Sequence, residues 1–421
     1  MKSTRPDLLA ITAAVFTITG VCAVAGFHVV VTSAGYDQRQ FHLPAVMQIR
    51  DTFPAIDFIH LPTATGPLYH VAVAALSGPL SLGEAGTQIV GGLFSALLAG
   101  LAIYHTRSVP SAFGRILAAA PLIFSAYFWQ SALWMLTDNA AALFSMAALI
   151  LLTFDLNPRK ELAVGFLIAL AIATRQTSVW LLLPGIMACG YDYHRRDTEL
   201  RGLALIRVAG PGVCVLTLLV AMWAGLTPPG VGDFNATGFS PVATTFTFAV
   251  AGVFSVPIFL CTPARVRTVR KFWRIAAAVG FAGSVPAMLF PSAVTQAPDH
   301  SRRGGAVWEL VAIGGDVVER SGVLIALGFV GAFTATLVCT QLARKLTVIV
   351  GASLLALAVV ASVGAQLFQK YVELPIAVVA VITIVSLWKD EKIVRRWPLI
   401  ALLAAQAATT IAIVGLPILS G

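Results

Sequence analysis

Residues 8–32 read LLAITAAVFTITGVCAVAGFHVVVT, and a polar stretch follows at residues 36–69, YDQRQFHLPAVMQIRDTFPAIDFIHLPTATGPLY. The first segment is apolar over about 20 residues, the length that an α-helix needs to cross a bilayer. The second is the one long polar interruption in the first third of the chain. It brings aspartates, histidines and proline-containing turns together, so we expect binding or proton transfer to be located there.

The composition extends this pattern to the whole chain. Of the 421 residues, 58% are hydrophobic and 11% are charged, whereas a soluble domain has about 25% charged residues. We predict an all-α, polytopic membrane protein with one transmembrane domain over residues 1–421 and about thirteen transmembrane helices. The predicted spans are approximately 8–32, 86–106, 111–133, 139–155, 161–174, 177–190, 203–226, 241–262, 275–293, 321–340, 346–367, 373–388 and 398–419.

The distribution of basic residues predicts the orientation. Cytoplasmic loops retain Lys and Arg, and with alternating spans most of the 28 basic residues fall on the side of the N-terminus. We therefore predict a multi-pass protein of the cell membrane with a cytoplasmic N-terminus. The net charge of +9 then reflects topology and contact with the lipid bilayer, which leaves little reason to invoke nucleic acid. The basic residues predicted outside are Arg39, Arg50, Arg175, Arg302, Arg303, Arg320 and Lys370.

Two outer loops are long, at residues 33–85 and 292–320. The first contains FHLPAVMQIRDTFP, with apolar residues at Phe41, Val46, Ile49 and Phe53. This spacing predicts an amphipathic helix at the membrane interface. The first outer loop is therefore the predicted catalytic segment.

Several polar residues of these loops are candidates for chemistry. Asp37 directly follows the first span, where partial desolvation would strengthen it as a base; a solvated carboxylate at a helix end is the alternative. Asp138 either caps the following helix or points into the bundle. An arginine at membrane depth needs a partner, so Arg175 is expected to bind Asp37, Asp138 or a ligand phosphate. Arg302, Arg303 and Lys370 either bind an anionic lipid headgroup or are solvated residues at the membrane interface.

Some functional classes are disfavoured. The sequence has no GxxxxGK[ST] phosphate loop, no HExxH helix, no GxSxG elbow and no closely paired cysteines, so an energy-coupled pump or a membrane protease is not indicated. No cofactor is predicted. The acidic residues of the predicted outer loops could hold a divalent metal, but nothing in their spacing indicates a metal site.

The order of short motifs resembles a known family. FHLP at residues 41–44, Asp57, the turn from Thr65 to Tyr69, Thr137-Asp138, and Arg175-Gln176-Thr177 with Trp180 resemble the eukaryotic dolichyl-phosphate-glucose α-1,2-glucosyltransferases. These are GT-C glycosyltransferases, integral membrane enzymes that use polyprenyl-phosphate sugar donors. The resemblance covers roughly residues 33 to 185. That family has adjacent acidic residues before its FH pair, where this chain has Asp37 followed by Gln38 and Arg39.

The resemblance implies roles for the matching residues. Asp37, alone or with Asp57, would deprotonate the acceptor hydroxyl. Arg175, helped by Arg302, Arg303 or Lys370, would stabilise the leaving polyprenyl phosphate, and the sugar would be transferred with inversion. The remaining predicted substrate-binding residues are His42, Thr65, Tyr69, Asp138 and Gln176.

The partners expected from this interpretation are a polyprenyl-phosphate sugar donor and a glycan or lipid-linked acceptor. The main alternative is a membrane transporter or lipid flippase, which also places Asp and Arg within a helical bundle. The sequence has no evident inverted repeat, and its polar residues cluster on one predicted face, which favours the transferase. A purely structural membrane protein would not need the outer Asp and Arg set.

Overall fold

The computed structural model describes residues 7–29, 32–196, 201–231, 238–263, 265–292, 303–364 and 367–420. Helices dominate these ranges, as the apolar composition predicts. The α-helices are α1 (Leu8–Gly26), α2 (Ser33–Asp37), α3 (Leu43–Thr52), α4 (Leu68–Ser77), α5 (Glu84–His105), α6 (Ala112–Ile123), α7 (Ala126–Leu133), α8 (Asp138–Leu152), α9 (Pro158–Thr174), α10 (Leu182–Arg196), α11 (Arg201–Trp223), α12 (Val242–Cys261), α13 (Arg265–Leu289), α14 (Ala306–Ile313), α15 (Gly322–Cys339), α16 (Arg344–Ser362), α17 (Lys370–Lys389), α18 (Trp397–Thr410) and α19 (Leu416–Ser420).

Many of these helices are long and apolar enough to cross a membrane. Nine such spans occur in the described part of the chain, and a tenth results if α6 and α7, which meet at 72°, form one broken span. The all-α, multi-pass architecture is thus confirmed. A count of thirteen also requires α8, α9 and α10, which have 15, 17 and 15 residues. Helices of this length reach about 22 to 26 Å, less than the ~30 Å hydrocarbon core, so thirteen spans remain a prediction.

Charged residues tie the helices together at the end of the bundle where α1 begins. Asp7 caps α1 and forms an ion pair with Arg115 of α6. Asp192 of α10 lies 2.6 Å from the Lys345 ammonium at the start of α16, and it also accepts a 2.9 Å hydrogen bond from the Leu156 amide. Helix ends that the sequence predicts on one side of the membrane therefore meet in space.

Glycines allow two pairs of helices to approach closely. A Cβ atom on Gly331 of α15 would lie 1.8 Å from the Phe248 carbonyl oxygen of α12. A Cβ atom on Gly165 of α9 would lie 2.0 Å from the Arg207 carbonyl oxygen of α11. Lipid tails are as apolar as these helices, so close backbone packing is a main source of their association.

The predicted first outer loop folds onto one end of the bundle, which we call the loop end. It forms α2, a π-helical segment at Gln38–His42, α3 and α4. Of the four apolar residues that predicted a helix here, Val46 and Ile49 are buried in α3 together with Leu43. Phe41 precedes the helix, and Phe53 follows it and is 67% exposed. The next helix, α4, packs against α5 and α9, so it belongs to the bundle instead of lying on its surface.

The described part of the second loop is attached to the start of α17. Strand β1 (Arg303–Gly304) pairs in parallel with β2 (Leu367–Phe368). The Trp308 indole N–H donates to the Leu367 carbonyl at 2.7 Å, and the Val307 amide donates to the Gln369 side chain at 2.8 Å. These bonds fix the chain immediately before Lys370 at the loop end.

Candidate active site

A cavity of about 760 Å³ lies at the loop end, within the range of small-molecule sites. Its walls come from the α2–α3 region, the start of α8, the segment after α9, the end of α16 and the start of α17. Seven residues predicted from the sequence line it. They are Asp37, His42, Thr65, Asp138, Arg175, Gln176 and Lys370.

The rest of the cavity wall is largely apolar. It includes Leu357 and Val360 of α16, Leu374 of α17 and Ile413 after α18. Val363, at the end of α16, also lines the cavity while its side chain is 48% exposed. The apolar wall therefore includes a residue that is about half exposed.

An ion pair joins the first loop to α17. Asp37 is the last residue of α2, and Lys370 is the first residue of α17. Their side chains meet at 3.1 Å between Nζ and Oδ2, and both remain partly exposed to the cavity. The Lys370 ammonium also lies 5.5 Å from the centre of the Phe368 ring and 5.6 Å from that of Tyr371. Asp37 is thus held at the cavity wall by a cation.

A second ion pair joins α8 to the segment after α9. The helix α9 stops before Arg175, whose backbone is extended at φ −153° and ψ 115°. The Arg175 guanidinium donates to Asp138 at 2.6 Å, and it also stacks over the Tyr371 ring, 4.6 Å from its centre. The interpretation of Asp138 as only a helix cap is wrong, because its side chain points into the bundle and binds Arg175.

The turn at residues 63–67 docks beside Arg175. Gln176 donates from its amide nitrogen to the carbonyls of Ala64 at 3.3 Å and Leu226 at 2.9 Å. A Cβ atom on Gly66 would lie 2.1 Å from the Ala173 carbonyl oxygen, so only glycine fits this contact. The Thr65 hydroxyl faces the cavity and lies 3.1 Å from that of Thr63. The turn at residues 63–67 and the residues on either side of Arg175 therefore pack directly against each other at one junction.

His42 lines the cavity beside these ion pairs, and its partner is another histidine. Its Nδ1 lies 2.9 Å from Nε2 of His70 on α4. Burial lowers the pKa of His70 to about 4, against an opposing effect of the Gly66 backbone. Burial also lowers the pKa of His42 well below 6.5, together with the nearby His70, Lys370 and Arg175. Both rings are therefore neutral near pH 7.

Four predicted site residues are not placed in the cavity. Asp57 is exposed and bonds its own turn, with Oδ2 2.7 Å from the His60 ring nitrogen and Oδ1 accepting the Ile59 amide. That hydrogen bond from His60 lowers the pKa of Asp57. Tyr69 is buried against Gly91 and Met135. Arg302 lies outside the described residues, as does the side chain of Arg303.

Several site residues were missed in the sequence. His70 lies in an apolar helix and Tyr371 directly follows Lys370, so neither residue could be recognised from the sequence without its long-range partner. Glu373 is buried and accepts hydrogen bonds from Ser125, at 2.7 Å, and from Gln369.

Among the described residues, no group of three or more His, Cys, Asp or Glu side chains is arranged to hold a metal ion. The two carboxylates of the cavity are instead neutralised by Lys370 and Arg175.

Comparisons of the chain with protein-family models, with curated proteins and with solved structures found no match.

Proposed function

We propose that this protein is a membrane glycosyltransferase that moves a sugar from a polyprenyl-phosphate donor to a glycan or lipid-linked acceptor on the outer face of the cell membrane. The observation that carries this proposal is a single cavity that joins a partly exposed carboxylate, two cations and a largely apolar wall. A sugar donor with an anionic phosphate and a long apolar tail requires these three features together.

In the proposed reaction Asp37 accepts the proton of the acceptor hydroxyl. The hydroxyl oxygen forms a bond to the anomeric carbon, while the bond from that carbon to the phosphate oxygen breaks. The electron pair leaves with the polyprenyl phosphate, whose added charge is stabilised by Arg175 and Lys370. A single displacement of this kind inverts the configuration at the anomeric carbon.

The ion pairs of the cavity suit this sequence of events. Lys370 orients the Asp37 carboxylate through this contact. The planar guanidinium of Arg175 has further N–H groups beyond the one that binds Asp138, and these can bind phosphate oxygens. The guanidinium carbon of Arg175 lies 4.6 Å from the centre of the Tyr371 ring, a contact that helps to hold the cation at the cavity wall.

The direct test is sugar transfer by purified protein in lipid nanodiscs, with a panel of polyprenyl-phosphate hexoses and pentoses as donors. Release of polyprenyl phosphate is measured. We expect Asp37→Asn to lower the rate by about 10²- to 10⁴-fold, the usual contribution of a general base. Asp57→Asn should retain transfer, because Asp57 lies outside the cavity.

Asp51→Asn is the matched control, since Asp51 is an exposed carboxylate at the end of α3. Thermal unfolding of each variant establishes that it is folded. Full activity of a folded Asp37→Asn protein would remove Asp37 as the base. Movement of intact donor across the bilayer, with no cleavage by the wild type, would instead favour the transporter or flippase.

A further inference from the structure

A chain of buried hydrogen bonds connects the second loop to the helix bundle. The Val307 amide donates to Oε1 of Gln369 at 2.8 Å, and Nε2 of the same side chain donates to Oε2 of Glu373. The other oxygen of Glu373, Oε1, accepts the hydrogen bond of the Ser125 hydroxyl at 2.7 Å. All four residues are buried. Neither Gln369 nor Glu373 has a role in the proposed reaction.

The backbone of Val307 fixes the direction of the bonds in this chain. A backbone N–H is always a donor, so the amide oxygen of Gln369 has to face it. The amide nitrogen of Gln369 therefore faces position 373, which has to present an accepting oxygen. The Glu373 carboxylate meets this requirement, and its second oxygen accepts from Ser125. The same donors are also satisfied when the carboxylate and the amide change places.

The loop that is held in this way forms part of the cavity wall. Gly304 and Gly305 line the cavity, and the Gly304 carbonyl accepts a hydrogen bond from the Gln369 amide at 2.9 Å. Gly305 has φ +127°, and a Cβ atom there would lie 2.3 Å from Cβ of Gln369, so only glycine allows this approach. The residue after Gln369 is Lys370, which pairs with Asp37. Gln369 thus connects the loop wall to a cation of the site.

We propose that Glu373 is a positioning residue that acts through Gln369 to hold residues 303–309 against the start of α17, and so keeps this wall and Lys370 in place for the phosphate of the donor. The carboxylate does not itself line the cavity. The effect on the donor rests on the proposed function, whereas the attachment of the loop follows from the hydrogen bonds alone.

Two variants separate this connection from a general effect of substitution. Gln369→Leu retains a side chain of similar size but removes the bonds to Val307 and Glu373. The double variant Gln369→Glu/Glu373→Gln exchanges the two polar groups. Its carboxylate accepts from Val307 and from the new amide, and the oxygen of that amide accepts from Ser125. It has the same net charge as the wild type, so we expect it to keep the loop attached.

Hydrogen–deuterium exchange of the protein in lipid nanodiscs measures this attachment without any enzymatic assay. In Gln369→Leu we expect the backbone amides of residues 303–313 to exchange at least about tenfold faster than in the wild type. The double variant should exchange at the wild-type rate. The matched control is Gln40→Leu, at an exposed glutamine of the first loop, which should leave exchange in residues 303–313 unchanged.

Wild-type exchange in Gln369→Leu would overturn the proposal, and so would a double variant that exchanges as fast as Gln369→Leu. If Gln369→Leu does not fold, Glu373→Leu takes its place, because it removes the partner of the Gln369 amide nitrogen and should also speed exchange.

Kinetics then test the consequence for the site. In Gln369→Leu we expect the KM for the donor to rise about tenfold, the effect of one lost hydrogen bond, and the double variant should restore it. A smaller folded fraction would lower only the apparent kcat, so a raised KM separates positioning from stability. Faster exchange with an unchanged donor KM would contradict the positioning role. Absence of transfer by the wild type would remove the proposed function and leave the exchange result standing.

Discussion

At the scale of single residues, the site consists of charges that compensate one another. An arginine at membrane depth costs at least ~2.5 kcal/mol unless it is paired, and this argument predicts from sequence that Arg175 has an acidic partner. Asp138 is that partner. The sequence could not choose between Asp138 and Asp37, because the choice depends on how α8 and the segment after α9 pack.

This pair allows stability and activity to be separated. Arg175→Gln leaves Asp138 as an uncompensated charge, so we expect a loss of roughly 3–5 kcal/mol in the free energy of unfolding. The double variant Arg175→Gln/Asp138→Asn should recover most of that stability, because no charge remains unpaired. Sugar transfer should stay low, since the guanidinium is still missing.

Thermal unfolding and the release of polyprenyl phosphate, measured on the same preparations, check this expectation. Recovery of transfer along with stability in the double variant would mean that Arg175 is purely structural.

The buried histidines predict a dependence of stability on pH. The pKa values of His42 and His70 are lower in the folded than in the unfolded protein, where histidine titrates near 6.5. The unfolded chain therefore binds more protons below pH 6.5, and stability falls with pH down to about 4, the pKa of folded His70. We expect a lower melting temperature at about pH 5 than at about pH 7.5, and a smaller difference in His70→Phe. Equal pH dependence in both proteins would contradict this assignment.

At the scale of elements, the turn at residues 63–67 shows what sequence can and cannot predict. Its threonines, glycine and proline identify a turn. The turn contacts the end of α9, which lies more than a hundred residues further along the chain. No local sequence pattern encodes such a contact. For the same reason α3 was predicted well from its amphipathic spacing, while the pairing of β1 with β2 was not predicted.

Gly66→Ala should disturb this docking. The added methyl group would overlap the Ala173 carbonyl, so the turn must move away from the residues that lead into Arg175. We expect lower transfer and an unfolding free energy reduced by about 1–3 kcal/mol. Gly351→Ala is the control, because a Cβ atom there meets no neighbour within 4 Å. Equal behaviour of the two variants would show that the junction tolerates displacement.

At the scale of the whole molecule, composition predicted an all-α, multi-pass membrane protein more reliably than it predicted the number of transmembrane spans. Apolar length identifies a long helix such as α12 directly. It is ambiguous for α8, α9 and α10, which are shorter than the hydrocarbon core of a bilayer is thick. From the sequence, the cavity could be predicted only as a set of polar residues on the same side of the membrane.

The predicted orientation can be measured by cysteine labelling in intact cells. The five native cysteines, Cys22, Cys189, Cys214, Cys261 and Cys339, are first replaced by alanine. We expect Ala55→Cys, at the loop end, to react with a membrane-impermeant maleimide from outside, and Val394→Cys, at the opposite end, to react only after lysis. Both positions are exposed. The reverse pattern would place the cavity on the cytoplasmic side.

The two ion pairs of the cavity also bear on how a reaction cycle would end. Lys370 and Arg175 have carboxylate partners of their own, so in the proposed reaction an anionic product would compete with Asp37 and Asp138 for the same N–H groups. After transfer, these carboxylates would bind the two cations again and displace the phosphate. If the proposal holds, we therefore expect the polyprenyl phosphate product to dissociate readily.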